Sequence, residues 1–285
     1  QQLLRECAAQ IAANVGVVQT SSAPEGPHQL RIGLRRLRTA LLIFKPVVGG
    51  AAARHLTQEA QWLGRQVGQL RDLDVIINDI VAKEAKAHPD LAGFDLLADS
   101  LARQADDVRH TLRAEILGPR VQSFLFDLMK FIETRGWIDL HDTGQTARLA
   151  APVIELAGRA LTKRWKQAAN RAKGIQTLSI EERHALRKEL KKLRYAAEFL
   201  APLYPKKQVK PFLKSLKKLQ DLFGELNDAA MVKAQLIDTQ QLKDSQSAVG
   251  VPIGWIAGAS ATRAELHWEH AKERWKALGR TPKFW

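Results

Sequence analysis

The chain reads almost throughout in a helical rhythm. Apolar residues return at spacings of three and four across long segments rich in Ala, Leu, Arg, Lys, Gln and Glu, and the strict alternation of a half-buried strand is nearly absent. The pattern predicts a first helix over Leu3 to Val18 and a linker over Thr20 to Pro27, where two prolines and Gly26 act as breakers. A second helix runs from His28 to Lys45 and stops at Pro46 and the Gly49–Gly50 pair. Longer helices follow over Ala52 to Lys86, Pro89 to Leu117 and Val121 to Arg135. The stretch Gly136 to Gly144 joins these to a second set: Thr146 to Lys173, Ile180 to Pro202, Val209 to Leu242 and Ile253 to Leu278. Ser179 and Glu182 form a capping pair at the start of the Ile180 helix. A polar loop, DSQSAVG, precedes the last helix, and the tail GRTPKFW reads as irregular.

The second set repeats the first. HQLRIGLRRLRTALLIF, from His28, recurs as HALRKELKKLRYAAEFL from His184, an offset of 156 residues. LGRQVGQLRDLDV, from Leu63, recurs as LQDLFGELNDAAM from Leu219 at the same offset. Two matched blocks holding one offset imply that each half builds the same unit. The expected fold is therefore all-α: a single domain over residues 1–285, made of two repeats, 1–140 and 145–285, each a four-helix-type bundle.

Composition adds a charge. The chain has 285 residues, 45% of them hydrophobic, enough for a substantial core. Lys plus Arg number 44 against 30 Asp plus Glu, a formal net charge of +14. That excess draws polyanions, whether nucleic acid, polyphosphate or an anionic surface. Cys7 is the single cysteine, so no internal disulfide forms, which fits a reducing, cytoplasmic setting. The sequence has neither a secretory signal pattern nor an apolar run of membrane-spanning length, so no membrane partner is expected. The first residue is Gln1, which implies that the chain is cut from something longer.

The charge is arranged. On a helical wheel at about 100° per residue, Arg31, Arg35 and Arg38 fall within about 80° of His28, while Leu30, Leu34, Leu37, Leu41 and Phe44 gather on another face. In the second copy His184, Arg187, Lys191 and Arg194 take the cationic positions, and Leu186, Leu190, Leu193, Ala197 and Leu200 the apolar ones. Like charges at i,i+4 destabilise a helix by about 0.2–0.5 kcal/mol per pair, and a bound polyanion removes that cost. Arg36, Lys188 and Lys192 sit off the rows and either flank the site or face water. Tyr195 lies on the basic face, where its hydroxyl suits either phosphate or interhelical packing. Lys210, Lys214, Lys217 and Lys218 form a further basic stretch that either extends the surface or is simply exposed. The LRDLDV block supplies Arg71 and Asp72, and Asp228 matches Asp72 at the same offset. A carboxylate kept in both halves of so basic a chain is expected to hold an arginine or histidine of the row in place. Gly68 and Gly224 also match, and would allow close helix approach or a kink.

At these residues the chain resembles the CHAD family, the "conserved histidine α-helical domain". The resemblance is carried by the paired His-x-x-Arg-x-x-x-(Arg/Lys)-(Arg/Lys)-x-Arg signature, as His28/Arg31/Arg35/Arg36/Arg38 and His184/Arg187/Lys191/Lys192/Arg194, and by the blocks that follow each copy. It covers essentially the whole chain. The resemblance implies two helical bundles related by pseudo-twofold symmetry with a basic channel between them, binding of inorganic polyphosphate, and targeting to polyphosphate granules. It also implies that an N-terminal CYTH-type domain can precede such a chain. Where the copies differ, the second reads LFGELND, lacks a counterpart of Arg71 and has lysines where the first has Arg35 and Arg36, so the two halves need not bind equally.

Three functional classes compete. A polyphosphate-binding module needs only a row of cations, because the polymer repeats phosphates with no bases between them. Nucleic-acid binding, the alternative through the same faces, calls for aromatics interleaved with cations, and the rows carry only Tyr195. Trp62, Trp165, Trp255, Trp268 and Trp275 read as core or helix-contact residues. An enzyme is disfavoured: clustered Arg and Lys repel a metal cation, and no Gly-rich phosphate loop or serine-nucleophile motif is present. His267 and His270 with Glu269 and Glu273 share one helix but read as surface residues, as do His55, His88, His110 and His141. Neither a cofactor nor a metal is expected.

Overall fold

The computed structural model describes residues 1–237 and 248–285, with the side chains of Glu225, Asn227, Asp228, Lys233 and Ile237 outside that description. Every regular element among the described residues is helical. Helix α1 spans Gln2–Thr20, α2 Glu25–Ile43, α3 Lys45–Val48 and α4 Ala51–Val75. A π-helical segment, Ile76–Val81, carries α4 directly into α5, Ala82–Ala87. Then come α6 (Phe94–Leu117), α7 (Pro119–Glu133), α8 (Thr143–Ala150), α9 (Val153–Arg171) and α10 (Ile180–Leu200). After a 3-10 turn at Ala201–Leu203, α11 covers Lys206–Val232 and runs into a second π segment, Lys233–Ile237; α12 covers Gly250–Arg280. The expected helix end at Leu242 and most of the DSQSAVG loop lie outside the described residues.

Several boundaries move for identifiable reasons. Pro27 lies inside α2, not in the linker: the helix starts at Glu25, and a proline in the first turn sacrifices no backbone bond. Pro119 likewise opens α7, and Pro252 sits in the first turn of α12. The expected helix over Thr146 to Lys173 is two helices, because Pro152 pushes Ala151 into an extended conformation (ψ 148°). Helix α6 begins at Phe94 instead of Pro89, behind Gly93 at φ 94°, where a Cβ would strike the Ala248 carbonyl oxygen at 2.0 Å. The Ser179/Glu182 pair closes as expected: Ser179 Oγ accepts from the Glu182 amide at 3.2 Å, and the Ser179 amide donates to Glu182 Oε2 at 2.8 Å. The tail after Arg280 is irregular yet packed, with Phe284 buried and Trp285 Nε1 donating to Thr162 Oγ1 at 3.1 Å.

The apolar faces fill two cores. One gathers α1, α2, α4, α6 and α7 around Leu30, Leu34, Leu63 and Phe124; the other gathers α9 to α12 around Leu186, Leu193, Phe212 and Trp268. The division does not follow the repeat boundary. Met231, Val232, Leu236, Ile253 and Ile256 belong to the first core, and Ile43 to the second. Helices α1 and α2 approach closely because Gly33 faces Ile11, whose Cγ1 would stand 3.0 Å from a Cβ there.

A polar clamp joins the two halves. Glu84 at the end of α5 is 4% exposed and accepts from Trp255 Nε1 at 2.9 Å and Arg263 Nη1 at 2.7 Å, both on α12. His88, in the loop that follows α5, packs edge-on against Trp255, with ring centroids 4.3 Å apart. Burial is the largest influence on the Glu84 carboxyl and pushes its pKa up, but the Trp255 and Arg263 hydrogen bonds and the Arg263 charge together hold it below the ordinary carboxylate value. This contribution is present above the unfolded value of about 4.3 and is lost as pH falls through the folded one. Glu84→Gln is expected to destabilise the fold by about 1.5–3 kcal/mol, the range for a hydrogen bond to a charged group, measured as a shift in the denaturant midpoint at neutral pH.

Candidate polyanion-binding site

Helix α2 carries its row half-buried. His28, Arg31, Arg35 and Arg38 are each partly covered by the surrounding structure. Arg31 shows how the row is held. Its Nη1 donates to Asp72 Oδ1 on α4 at 2.6 Å. Its guanidinium carbon lies 3.6 Å from where a Cβ would stand at Gly68, one turn earlier on α4. The glycine leaves room for the arginine to lie flat across α4, and the carboxylate fixes it there. Asp72 thus contacts a member of the α2 row.

His28 stands among cations. Burial is the main cause that lowers its pKa; Arg71 on α4 is the next, and Arg35 and Arg31 add to it against a smaller opposing pull from Glu25. Arg71, half-buried and 3.8 Å from Asp79, therefore joins the α2 row. Arg38 is also lowered, first by burial and then by Arg65, a cation of α4 that the sequence reading passed over. Its Nε has no hydrogen-bond partner among the described residues. Arg65, Gly68 and Asp72 share one stripe of α4 at i, i+3 and i+7, and that spacing is the signal that would have found Arg65.

In the second copy His184 is lowered by burial first, then by Lys188, Arg187 and Lys191 on its own helix. The rows meet at one point: Arg35 Nε on α2 donates to Tyr195 Oη on α10 at 2.9 Å, with the guanidinium 5.5 Å from the ring centroid. Tyr195 thus makes the helix contact, and its hydroxyl is engaged by Arg35.

Other expected members sit apart. Arg36 turns its guanidinium over the Phe199 ring, 5.3 Å from the centroid, and hydrogen-bonds the buried Cys7 thiol. Lys192 pairs with Glu189 at 2.6 Å, and Arg194 with Glu198 at 2.6 Å and with Gln220 Oε1 at 3.2 Å. Lys214 is exposed on α11 alongside Lys210, Lys217 and Lys218, and no described hydrogen bond or ion pair ties it to either row. The Asp228 side chain is outside the described residues. Gly224, the partner of Gly68, has nothing within 4 Å of its would-be Cβ, so no arginine lies across it as Arg31 lies across Gly68. Among the described residues no group of three or more His, Cys, Asp or Glu is placed to hold a metal ion, and Glu269 is engaged by Lys272 at 2.6 Å. No helix among them is long and apolar enough to cross a membrane.

The described residues thus form an all-helical chain with half-buried histidine-and-arginine rows on two contacting helices. The family model of the CHAD domain matches residues 2–236, and the chain belongs to that family. The chain is similar to the crystal structure of the CHAD domain from the plant Ricinus communis, at 24% identity and a TM-score of 0.81, over 99% of this chain and 92% of that one. It is also similar to PptA from Streptomyces chartreusis, at 14% identity and a TM-score of 0.71, over 96% of each chain. At such identities the likeness speaks for the fold. No curated protein matches the chain.

Both histidines favour the neutral form in the folded protein. Their contribution to stability is present above the unfolded value of about 6.5 and is lost as pH falls from there through the folded values. An NMR titration of the ligand-free protein is expected to give midpoints for His28 and His184 below that value. Asp72→Asn is expected to cost at most about 1 kcal/mol, because both partners of the Arg31 pair are about one-third exposed, and to broaden the Arg31 Nε resonance as the guanidinium loses its anchor.

Proposed function

We propose that the protein binds inorganic polyphosphate in a basic channel lined by His28, Arg31, Arg35, Arg38 and Arg71 from one half and by His184, Arg187, Lys188 and Lys191 from the other. The observation that carries the reading is the Arg35–Tyr195 hydrogen bond, which brings the cationic faces of α2 and α10 into contact. A linear polymer lying along one row then reaches the other without leaving positive charge. Arginine forks donate to two phosphate oxygens at once, and lysines add mobile point charges. Arg36, Lys192, Arg194 and Lys214 flank this path and serve the polymer where it leaves the centre.

The protein in this reading is a binding module and not an enzyme. It requires no cofactor or metal, and it recruits its chain to polyphosphate granules. The scarcity of aromatics on the rows favours polyphosphate over RNA or DNA, since Tyr195 is already stacked near Phe199 with centroids 6.0 Å apart.

Reversal of two charges, Arg31→Glu with Arg187→Glu, is expected to abolish binding of long-chain polyphosphate in calorimetry while the far-ultraviolet circular dichroism stays helical. Binding that survives in the folded double variant places the site elsewhere. Affinity is expected to fall steeply with salt through counterion release, as for nucleic acids, and bound RNA is expected to be displaced by polyphosphate; failure of displacement reverses the choice of ligand. A phosphate beside His28 and His184 raises the pKa that burial and neighbouring cations have lowered. Binding is therefore expected to take up protons and strengthen as pH falls through the bound-state values, levelling off below the free-state ones. A flat profile between about pH 5 and 8, the range over which histidine charge changes, assigns the imidazoles a neutral role.

A further inference from the structure

The second half contains a cavity. It measures about 480 Å³ and lies among α10, α11 and α12. That is within the range of about 300–1,000 Å³ usual for pockets that enclose a small organic ligand. Its walls are rich in alanine: Ala229, Ala230, Ala257, Ala261 and Ala264. At the offset of 156 residues, Ala229 answers to Leu73, Ala257 to Leu101 and Ala264 to Val108. In the first half Leu73 and Leu101 are buried in the core, 2% and 0% exposed. Ala230 answers to Asp74, which the first half buries against Arg109 at 3.6 Å. Four positions that carry larger side chains in the first half thus carry methyl groups in the second. Short side chains along this wall leave room for an apolar chain to enter from solvent.

The lining says what kind. Phe223 and Leu226 complete an apolar wall, and His184 and Arg187 line the α10 side. The carboxylates at the rim are engaged: Glu265 pairs with Arg183 at 2.7 Å, and Glu181 accepts from Ser179 Oγ at 3.0 Å. Exposed Ile180 and Glu181, at the start of α10, mark where the cavity reaches solvent. We infer that this cavity binds a single-chain amphiphile, an alkyl chain among the alanines with a phosphate head group against His184 and Arg187. The site goes beyond polyphosphate binding, since its apolar wall offers nothing to a bare phosphate polymer, and it does not depend on that reading.

The test uses decyl phosphate below its micelle-forming concentration. Calorimetry on the wild-type chain is expected to give saturable one-to-one binding and a raised melting temperature. Decanol, which lacks the anionic head, is expected to bind at least tenfold more weakly. Restoring first-half bulk with Ala257→Leu and Ala264→Val is expected to weaken decyl phosphate at least tenfold, to raise the melting temperature of the unliganded protein, and to leave long-chain polyphosphate affinity unchanged. Should that variant fail to fold, nuclear Overhauser contacts between the decyl chain and the Phe223 ring in the wild-type protein decide the matter. Absence of saturable binding, equal binding by the folded variant, or contacts that avoid Phe223 overturns the inference. Decyl phosphate binding without polyphosphate binding would overturn the preceding proposal and leave this one standing.

Discussion

Like charges do not gather on a helix face unless something holds them there. The α2 row lives with that repulsion because its members are fixed from outside: Asp72 grips Arg31, Gly68 clears the space for it, and Tyr195 receives Arg35. Each contact crosses from α2 to another helix. The repulsion is therefore borne by tertiary packing and not by the helix itself, whose isolated propensity could not carry it. The half-buried setting also lowers the pKa of His28, through burial first and the Arg71 charge next.

The two rows are relatives and not copies. The first has arginines, an anchoring carboxylate and a neighbouring α4 that contributes Arg71 and Arg65. The second has lysines, and its Arg194 and Lys192 are drawn to glutamates of the same helix. The two halves differ in their interiors as well: where the first has Leu73, Leu101 and Val108, the second has alanines that line a cavity beside His184.

The helices were legible because their apolar stripes have a period no strand shares, and the capping box at Ser179 was legible because two side chains satisfy two amides at fixed spacing. Prolines misled in both directions: Pro27 sits inside a helix, whereas Pro152 breaks one that the spacing runs straight through. Within the site, the histidines and the arginines following them stood out by repetition, and so did Asp72. Arg65 did not, because one cation on the polar face of a long helix carries no mark until the neighbouring helix is placed against it. Arg36 shares the signature yet stacks on Phe199, since a linear motif does not record which side of a helix a flanking residue takes. Glu84 was invisible for the same reason: its importance is made by Trp255 and Arg263, more than 170 residues away.

The crossing of the two cores bears on how far the halves are independent. Ile253 and Ile256, from the last helix, complete the packing of the first core, and Ile43 returns the exchange. A chain cut at the join would leave both interiors open. The halves are packed as mutually dependent partners, so a substitution at Ile43 or Ile253 is felt on the far side of the join.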